Sequence, residues 1–206
     1  MSKERLLIFG GAGSLGTHLV EFFSSEYEIH VASRDEAKHW ELRNKFHDLG
    51  INTHVCDVKN YKRTHTVIQR IKPNVIIMAH ALKQVDVCEK MPGESIDTNI
   101  LGTRNVLDAI EQFSISCSSI TKVLFVSTDK ACEPVNVYGM CKSISEKLVQ
   151  SFGDHLEDIK FITVRYGNVL NSKGSILPLF QKQAKDHSVE AFAVTHKDMT
   201  RFFMSL

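Results

Sequence analysis

Tyr138 and Lys142 lie four residues apart, and Met140, Ile144, Leu148 and Phe152 recur around them at helical spacing. The pattern predicts one helix that carries both side chains one turn apart. A lysine ammonium beside a phenol favours the phenolate and lowers the tyrosine pKa from its ordinary value of about 10. A tyrosine tuned in this way takes a proton from an alcohol near neutral pH. The same spacing also arises where an exposed lysine simply covers a tyrosine ring, so the pair draws its weight from its surroundings. Thr121-Lys122-Val123-Leu124-Phe125-Val126 precedes it as a short apolar run, and Ser127-Thr128-Asp129-Lys130 follows that run. The run reads as a buried parallel strand. In open α/β sheets, ligands bind at the C-terminal ends of such strands.

The elements that must position this pair begin at the N-terminus. Leu6-Leu7-Ile8-Phe9 reads as a strand buried on both faces, and Gly10-Gly11-Ala12-Gly13-Ser14-Leu15-Gly16 follows at once. Leu15, Leu19, Phe22 and Phe23 then continue at helical spacing. Strand, glycine loop and helix form a dinucleotide-binding context: the loop approaches a pyrophosphate, and the helix N-terminus offers free N–H groups and a positive dipole end. Gly10, Gly13, Ser14, Leu15 and Gly16 are the expected contacts. The glycines can be spelled from Gly10 or from Gly11, which bears on family more than on ligand.

Residues 28–32 read as the second strand, ending in Ser33-Arg34-Asp35. Arg34 suits a 2′-phosphate, because a guanidinium fork matches phosphate geometry. Asp35 lies near the spacing of an NAD-type carboxylate or caps the next helix, whose buried side is expected to hold Trp40 and Phe46. NADP is therefore the expected cofactor, with NAD as the alternative. Residues 51–56 read as a third strand. Asp57, followed by Val58, either accepts from an adenine amino group or caps the helix that starts near Asn60. Residues 73–81 read as a fourth strand, where Ala79 and Ala81 either leave room for the cofactor or pack closely on a helix. Lys83 lies beyond them, within reach of a phosphate or sugar hydroxyl. Ile96, Ile100, Thr103, Leu107 and Ile110 mark a long amphipathic helix. Asn99 lies off that stripe, facing water or turned inward to support a site. Residues 160–165 read as a sixth strand, 176–185 as a helix and 190–194 as a short strand.

Composition narrows the function classes. A formal net charge of +1 gives no electrostatic case for nucleic acid or anionic lipid. Apolar runs such as residues 75–79 are too short to span a bilayer, and no signal-peptide hydrophobic region follows Met1. The 5 cysteines are odd in number and lack Cys-x-x-Cys spacing, which predicts free thiols in the cytoplasm. The 10 histidines form no ligand cluster, so no metal is expected.

Alternating strands and helices behind a first-turn glycine loop predict an α/β, doubly wound parallel-sheet Rossmann fold. With Tyr138 and Lys142 downstream, the chain resembles an extended short-chain dehydrogenase/reductase. Ser33-Arg34-Asp35-Glu36, Ala81-Leu82-Lys83-Gln84-Val85, Thr98-Asn99-Ile100-x-Gly102-Thr103, Ser127-Thr128-Asp129-Lys130-Ala131, Arg165-Tyr166-Gly167-Asn168-Val169 and Met199-Thr200-Arg201-Phe202 occur in that order. Together they resemble the inverting UDP-N-acetylglucosamine 4,6-dehydratases of bacterial polysaccharide and nonulosonic acid biosynthesis. Thr128-Asp129-Lys130 is the most specific of these motifs.

The resemblance implies roles. Tyr138 takes the proton of the sugar's 4-hydroxyl, Lys142 holds the phenolate and the nicotinamide ribose, and Thr128 hydrogen-bonds the same hydroxyl. Lys130 is the base for carbon 5, and Asp129 the acid for the departing 6-hydroxyl. Lys83, Asn168 and Arg201 are expected to contact the UDP-sugar. The resemblance also implies a homo-oligomer built through helices such as that of Tyr138. The expected organisation is an NADP-binding domain over residues 1–172, and the start of a sugar-nucleotide region over 173–206 whose domain is largely absent. A sugar-nucleotide 4-epimerase and a catalytically silent NADP-binding protein are the alternatives.

Overall fold

The computed structural model of the chain describes residues 3–117, 119–170, 175–186, 191–192, 196, 198 and 200–205. Two compact units divide it, Met1–Arg165 and Tyr166–Leu206. The first runs β1 (Glu4–Phe9), α1 (Ser14–Phe23), β2 (Tyr27–Ser33), α2 (Glu36–Lys45), β3 (Asn52–Val55), α3 (Tyr61–Ile71), β4 (Val75–Met78), α4 (Val85–Lys90), α5 (Pro92–Ser95), α6 (Gly102–Ser116), β5 (Lys122–Val126), α7 (Val137–His155) and β6 (Lys160–Val164). The six strands form one parallel sheet in the order β3-β2-β1-β4-β5-β6. This is the doubly wound arrangement, and the order reverses between β1 and β4.

The apolar runs dictate the sheet. Alternate residues of a strand point to opposite faces. Leu7 and Phe9 of β1, Ile76 and Met78 of β4, and Val123 and Phe125 of β5 join one core with residues of α3, α6 and α7. Leu6, Ile8 and Ile77, between them in sequence, are equally buried and belong to the other face. A strand buried on both faces has no polar side, so its sequence reads as a continuous apolar run.

Two expected helix faces, and the apolar spacing that marked a third helix, depart from the buried faces for geometric reasons. On α2, Phe46 is buried, but Trp40 is 62% exposed, and His39 and Leu42 face inward instead. Positions 40 and 46 are about 240° apart on a helix of 3.6 residues per turn, so one face cannot hold both. On α7, Met140 and Ile144 are exposed, while Tyr138, Cys141, Lys142, Ser145, Val149 and Phe152 form the buried stripe. Strict four-residue spacing drifts about 40° per step and leaves the face it starts on. Ile96 is exposed because residues 96–101 are wound as a π-helix, which puts them out of phase with buried Leu107 and Ile110.

The second unit contains β7 (Asn168–Val169), α8 (Ile176–Lys185) and β8 (Phe203–Met204), with β7 and β8 paired in parallel. Of the strand expected over residues 190–194, Ala191 and Phe192 are described and are exposed and outside any strand; the rest of it, like Met199 of the last motif, lies outside the described residues.

Candidate active site

The glycine loop sits where the strand order reverses. Gly10 has φ +80°, and a Cβ there would lie 2.7 Å from the backbone nitrogen of His80 at the end of β4. Only glycine meets both conditions. Gly13 is the N-cap of α1 and brings no side chain to its first turn, which begins with Ser14, Leu15 and Gly16. The turn's N–H groups and its positive dipole end thus point out of the loop, the environment a pyrophosphate requires.

At the end of β2, Ser33 Oγ is 2.6 Å from Nε2 of buried His39. Asp35 is the N-cap of α2: its Oδ1 accepts from the Lys38 backbone N–H at 3.1 Å, and its Oδ2 pairs with Lys38 Nζ at 2.9 Å. Those bonds hold the Asp35 carboxyl below the usual carboxylate range. Arg34 beside it is exposed and makes no ion pair among the described residues. After β3, Asp57 accepts from the Lys59 backbone N–H at 3.0 Å, and Asn60 is the residue that caps α3. Val58 is buried beneath Gly102.

Ala79 extends the β4 ladder, donating to Phe9 O at 2.9 Å, and both Ala79 and Ala81 are half-buried. The loop that carries Lys83 is held from below by Asn99, which is buried and turned inward. Its Oδ1 accepts from Leu82 N at 2.9 Å, and its Nδ2 donates to Leu82 O at 3.0 Å and to Ser95 Oγ at 3.1 Å. His80 is buried. Its Nε2 lies 3.3 Å from Thr103 Oγ1, and its Nδ1 has no hydrogen-bond partner among the described residues. Burial first, then Lys142 and Arg34, hold its pKa at about 3, so the ring is neutral.

The reactive side chains converge from β5 and α7. Thr128 is buried just beyond β5, and its Oγ1 donates to Asp129 Oδ1 at 3.0 Å. Lys130 Nζ reaches the same oxygen at 2.9 Å. Burial raises the Asp129 pKa, but the bonds from Lys130 and Thr128 outweigh it and leave the group below the usual carboxylate range. α7 starts at Asn136, whose side chain accepts from Gly139 N at 2.8 Å. One turn in, Tyr138 is 8% exposed and Lys142 is 2% exposed. The Lys142 ammonium lies 3.9 Å from the centroid of the Phe125 ring. Desolvation lowers its pKa to about 7, while Glu146 pulls the other way.

Residue typing overlooked Glu146. It accepts from Ser127 Oγ and takes both arms of Arg165, at 2.9 and 2.6 Å. The available signal was a carboxylate one turn beyond Lys142. In the second unit, Asn168 N donates to Phe202 O at 2.8 Å, which joins the Asn168 motif to the Arg201 motif. Arg201 Nη1 donates to Thr200 O at 2.7 Å. Among the described residues no group of three or more side chains could hold a metal ion, and no helix is long and apolar enough to cross a membrane.

A parallel sheet in this order, a glycine loop at its reversal point and a buried Tyr-x-x-x-Lys helix define an extended short-chain dehydrogenase/reductase fold. The chain belongs to the polysaccharide biosynthesis protein family, whose model matches residues 6–206. A relative from Rickettsia rickettsii named UDP-glucose 4-epimerase is 38% identical over 215 residues, which cover 98% of this chain and 59% of the relative. The X-ray structure of Pen from Bacillus thuringiensis superposes with a TM-score of 0.89 at 33% identity, over 99% of this chain and 61% of that one. UDP-glucose 4-epimerase from Thermotoga maritima shares the fold with a TM-score of 0.83 at 19% identity, over 98% of this chain and 69% of that one. The chain thus spans about 59% of the length of the Rickettsia relative. The sugar-nucleotide family expected from the motifs is upheld, and the relatives carry the name of the epimerase alternative.

Proposed function

We propose that this chain is the catalytic portion of an NADP-dependent enzyme that dehydrates UDP-N-acetylglucosamine to a 4-keto-6-deoxy sugar nucleotide, with inversion at carbon 5, for surface polysaccharide synthesis. The observation that carries this reading is the Asp129–Lys130 pair, 2.9 Å apart, beside buried Thr128 on the strand end next to the Tyr138 helix. The loop at Gly10 and the uncapped first turn of α1 fit a dinucleotide pyrophosphate. Asp35, tied to Lys38 as the cap of α2, and Arg34, exposed and without an ion pair among the described residues, favour a 2′-phosphate over a bare ribose diol.

A nicotinamide bound there would supply the acceptor for the hydride of carbon 4 and its return to carbon 6, with carbon 5 taking a proton from solvent on the face opposite the one it lost. Tyr138 takes the proton of the 4-hydroxyl, Thr128 positions that hydroxyl, and Lys142 favours the phenolate. The 4-ketone acidifies the proton on carbon 5. Elimination then needs Lys130 neutral as the base and Asp129 protonated as the acid for the 6-hydroxyl. At rest the proton is on the other partner, since Asp129 is held as a carboxylate. Their 2.9 Å contact is the path for moving it across. Asn168, Arg201 and Lys83 are assigned to the sugar nucleotide. Exposed Met140 and Ile144 on α7 give a homo-oligomer an apolar face. Free thiols at all five cysteines agree with the cytoplasm.

The names of the Rickettsia relatives favour a second reading, a 4-epimerase that uses Tyr138 and Lys142 without the elimination. Mass spectrometry of UDP-N-acetylglucosamine after incubation with the chain, extended to the length of its relatives, tests both. A product lighter by one water is expected, and Lys130→Ala should abolish it while sparing NADP binding. Unchanged mass with altered stereochemistry would establish the epimerase. Cofactor binding with no sugar reaction would overturn both.

A further inference from the structure

Glu146 has no part in the chemistry above, yet three elements converge on it. It stands one turn beyond Lys142 on α7 and is 13% exposed in its side chain. Ser127, at the end of β5, donates to its Oε1, and Arg165, just past β6, clasps both oxygens. Bidentate pairing of this kind offsets the cost of taking a carboxylate out of water. Clamping two strand ends to a helix would account for the fork. It does not account for a carboxylate at that spacing from an enclosed lysine.

The groups that face Lys142 are few. On α7 they are Tyr138 and Glu146. From the end of β4 comes His80, which is neutral, and β5 offers the Phe125 ring; Ser127 and Thr128, just beyond β5, carry no charge. Arg165 lies behind Glu146 and draws off part of its charge. Among the described residues Glu146 is the carboxylate that supports the Lys142 ammonium against desolvation.

We propose that Glu146 is a positioning residue of the Tyr138–Lys142 pair: it keeps the lysine charged, and the Arg165 fork sets how much of its own charge the lysine feels. The inference rests on the reading of Tyr138 as a base assisted by Lys142. It concerns that pair alone, whichever sugar is turned over.

The test is the titration of Tyr138 in the cofactor-free chain, followed by phenolate absorbance in difference against Tyr138→Phe. The two ways in which Glu146 can act have opposite signs. Removing a carboxylate near a phenol lowers the phenol's pKa directly, whereas losing a neighbouring ammonium raises it. With Glu146→Gln the proposal expects the Tyr138 titration to rise, by about one unit, and Glu146→Asp to restore part of the wild-type value. A fall or no change overturns it. If Glu146→Gln does not fold, Arg165→Gln replaces it. That change leaves the carboxylate less neutralised and is expected to lower the Tyr138 titration, and a rise or no change there overturns the proposal. Sugar turnover does not enter the readout, so failure of the dehydratase reading is seen separately.

Discussion

Gly139 stands where a Cβ would overlap the backbone carbonyl oxygen of Lys130. At this point the helix that carries Tyr138 and the turn that carries Asp129 and Lys130 approach too closely for any side chain. The obstacle is backbone, so it cannot rotate away, and Pro134 Cβ would lie a further 3.2 Å from the added atom. Gly139→Ala is expected to cost about 1–3 kcal/mol of stability, the usual range for overpacking. It should also move Lys130 away from Tyr138. Denaturant unfolding checks the first effect, and loss of the dehydrated product with NADP affinity kept within about twofold checks the second. An alanine variant with wild-type stability would show that the contact relaxes without cost.

The strands of the sheet were legible because strands buried on both faces have no polar side to break the run. The active-site helix was legible in its reactive pair and misleading in its packing. The apolar spacing of Met140 and Ile144 marked the helix, but both are exposed, and Tyr138, Lys142 and Ser145 are buried instead. The side chains proposed to be catalytic occupy the face that an apolar stripe would otherwise fill, so the pattern fails where that chemistry is placed. Glu146 stayed hidden for a related reason. A glutamate in a helix reads as a solvated charge, and its partners Ser127 and Arg165 come from strand ends 19 residues away in either direction.

Asn99 supports the loop that carries Lys83 with bonds to both polar groups of Leu82 and to Ser95. Asn99→Ala would leave the half-buried Leu82 groups without these partners. A cost of about 1–3 kcal/mol is expected for such loss. Faster amide hydrogen exchange should be confined to residues 81–84 and 95–99. Global unfolding without local loosening would contradict a loop-support role.

Cofactor choice should follow Arg34. Asp35 already takes one bond on each oxygen as the cap of α2, so a ribose diol would have to share a carboxylate held to Lys38. Arg34→Gln is expected to weaken NADPH binding about 10-fold or more, the worth of a charge-assisted hydrogen bond. NADH binding should change little. Fluorescence titration with both dinucleotides measures this, and equal losses for the two would remove Arg34 from the 2′-phosphate. Asp35→Ala should lower thermal stability through the lost cap without changing that preference.

Acid should weaken the fold through a pair of histidines. His30 Nδ1 lies 3.1 Å from His54 Nε2, with the rings stacked 5.3 Å apart, and His30 Nε2 bonds Glu28. One proton suffices between the two facing nitrogens, and a second sets N–H against N–H. Burial chiefly, with help from His30, Arg63 and His39, lowers the His54 pKa to about 4. Burial also lowers that of His30, against the pull of Glu28. Unfolded histidine titrates near 6.5. Between about 6.5 and 4 the unfolded chain therefore binds more protons, and stability falls as pH falls through that window. His80 and His39 are also depressed and share the effect, so His54→Gln should flatten the slope in part. Thermal unfolding across that window, compared with the wild type, measures it. A slope that His54→Gln leaves unchanged would mean that the stacked pair takes its proton without opposing the fold.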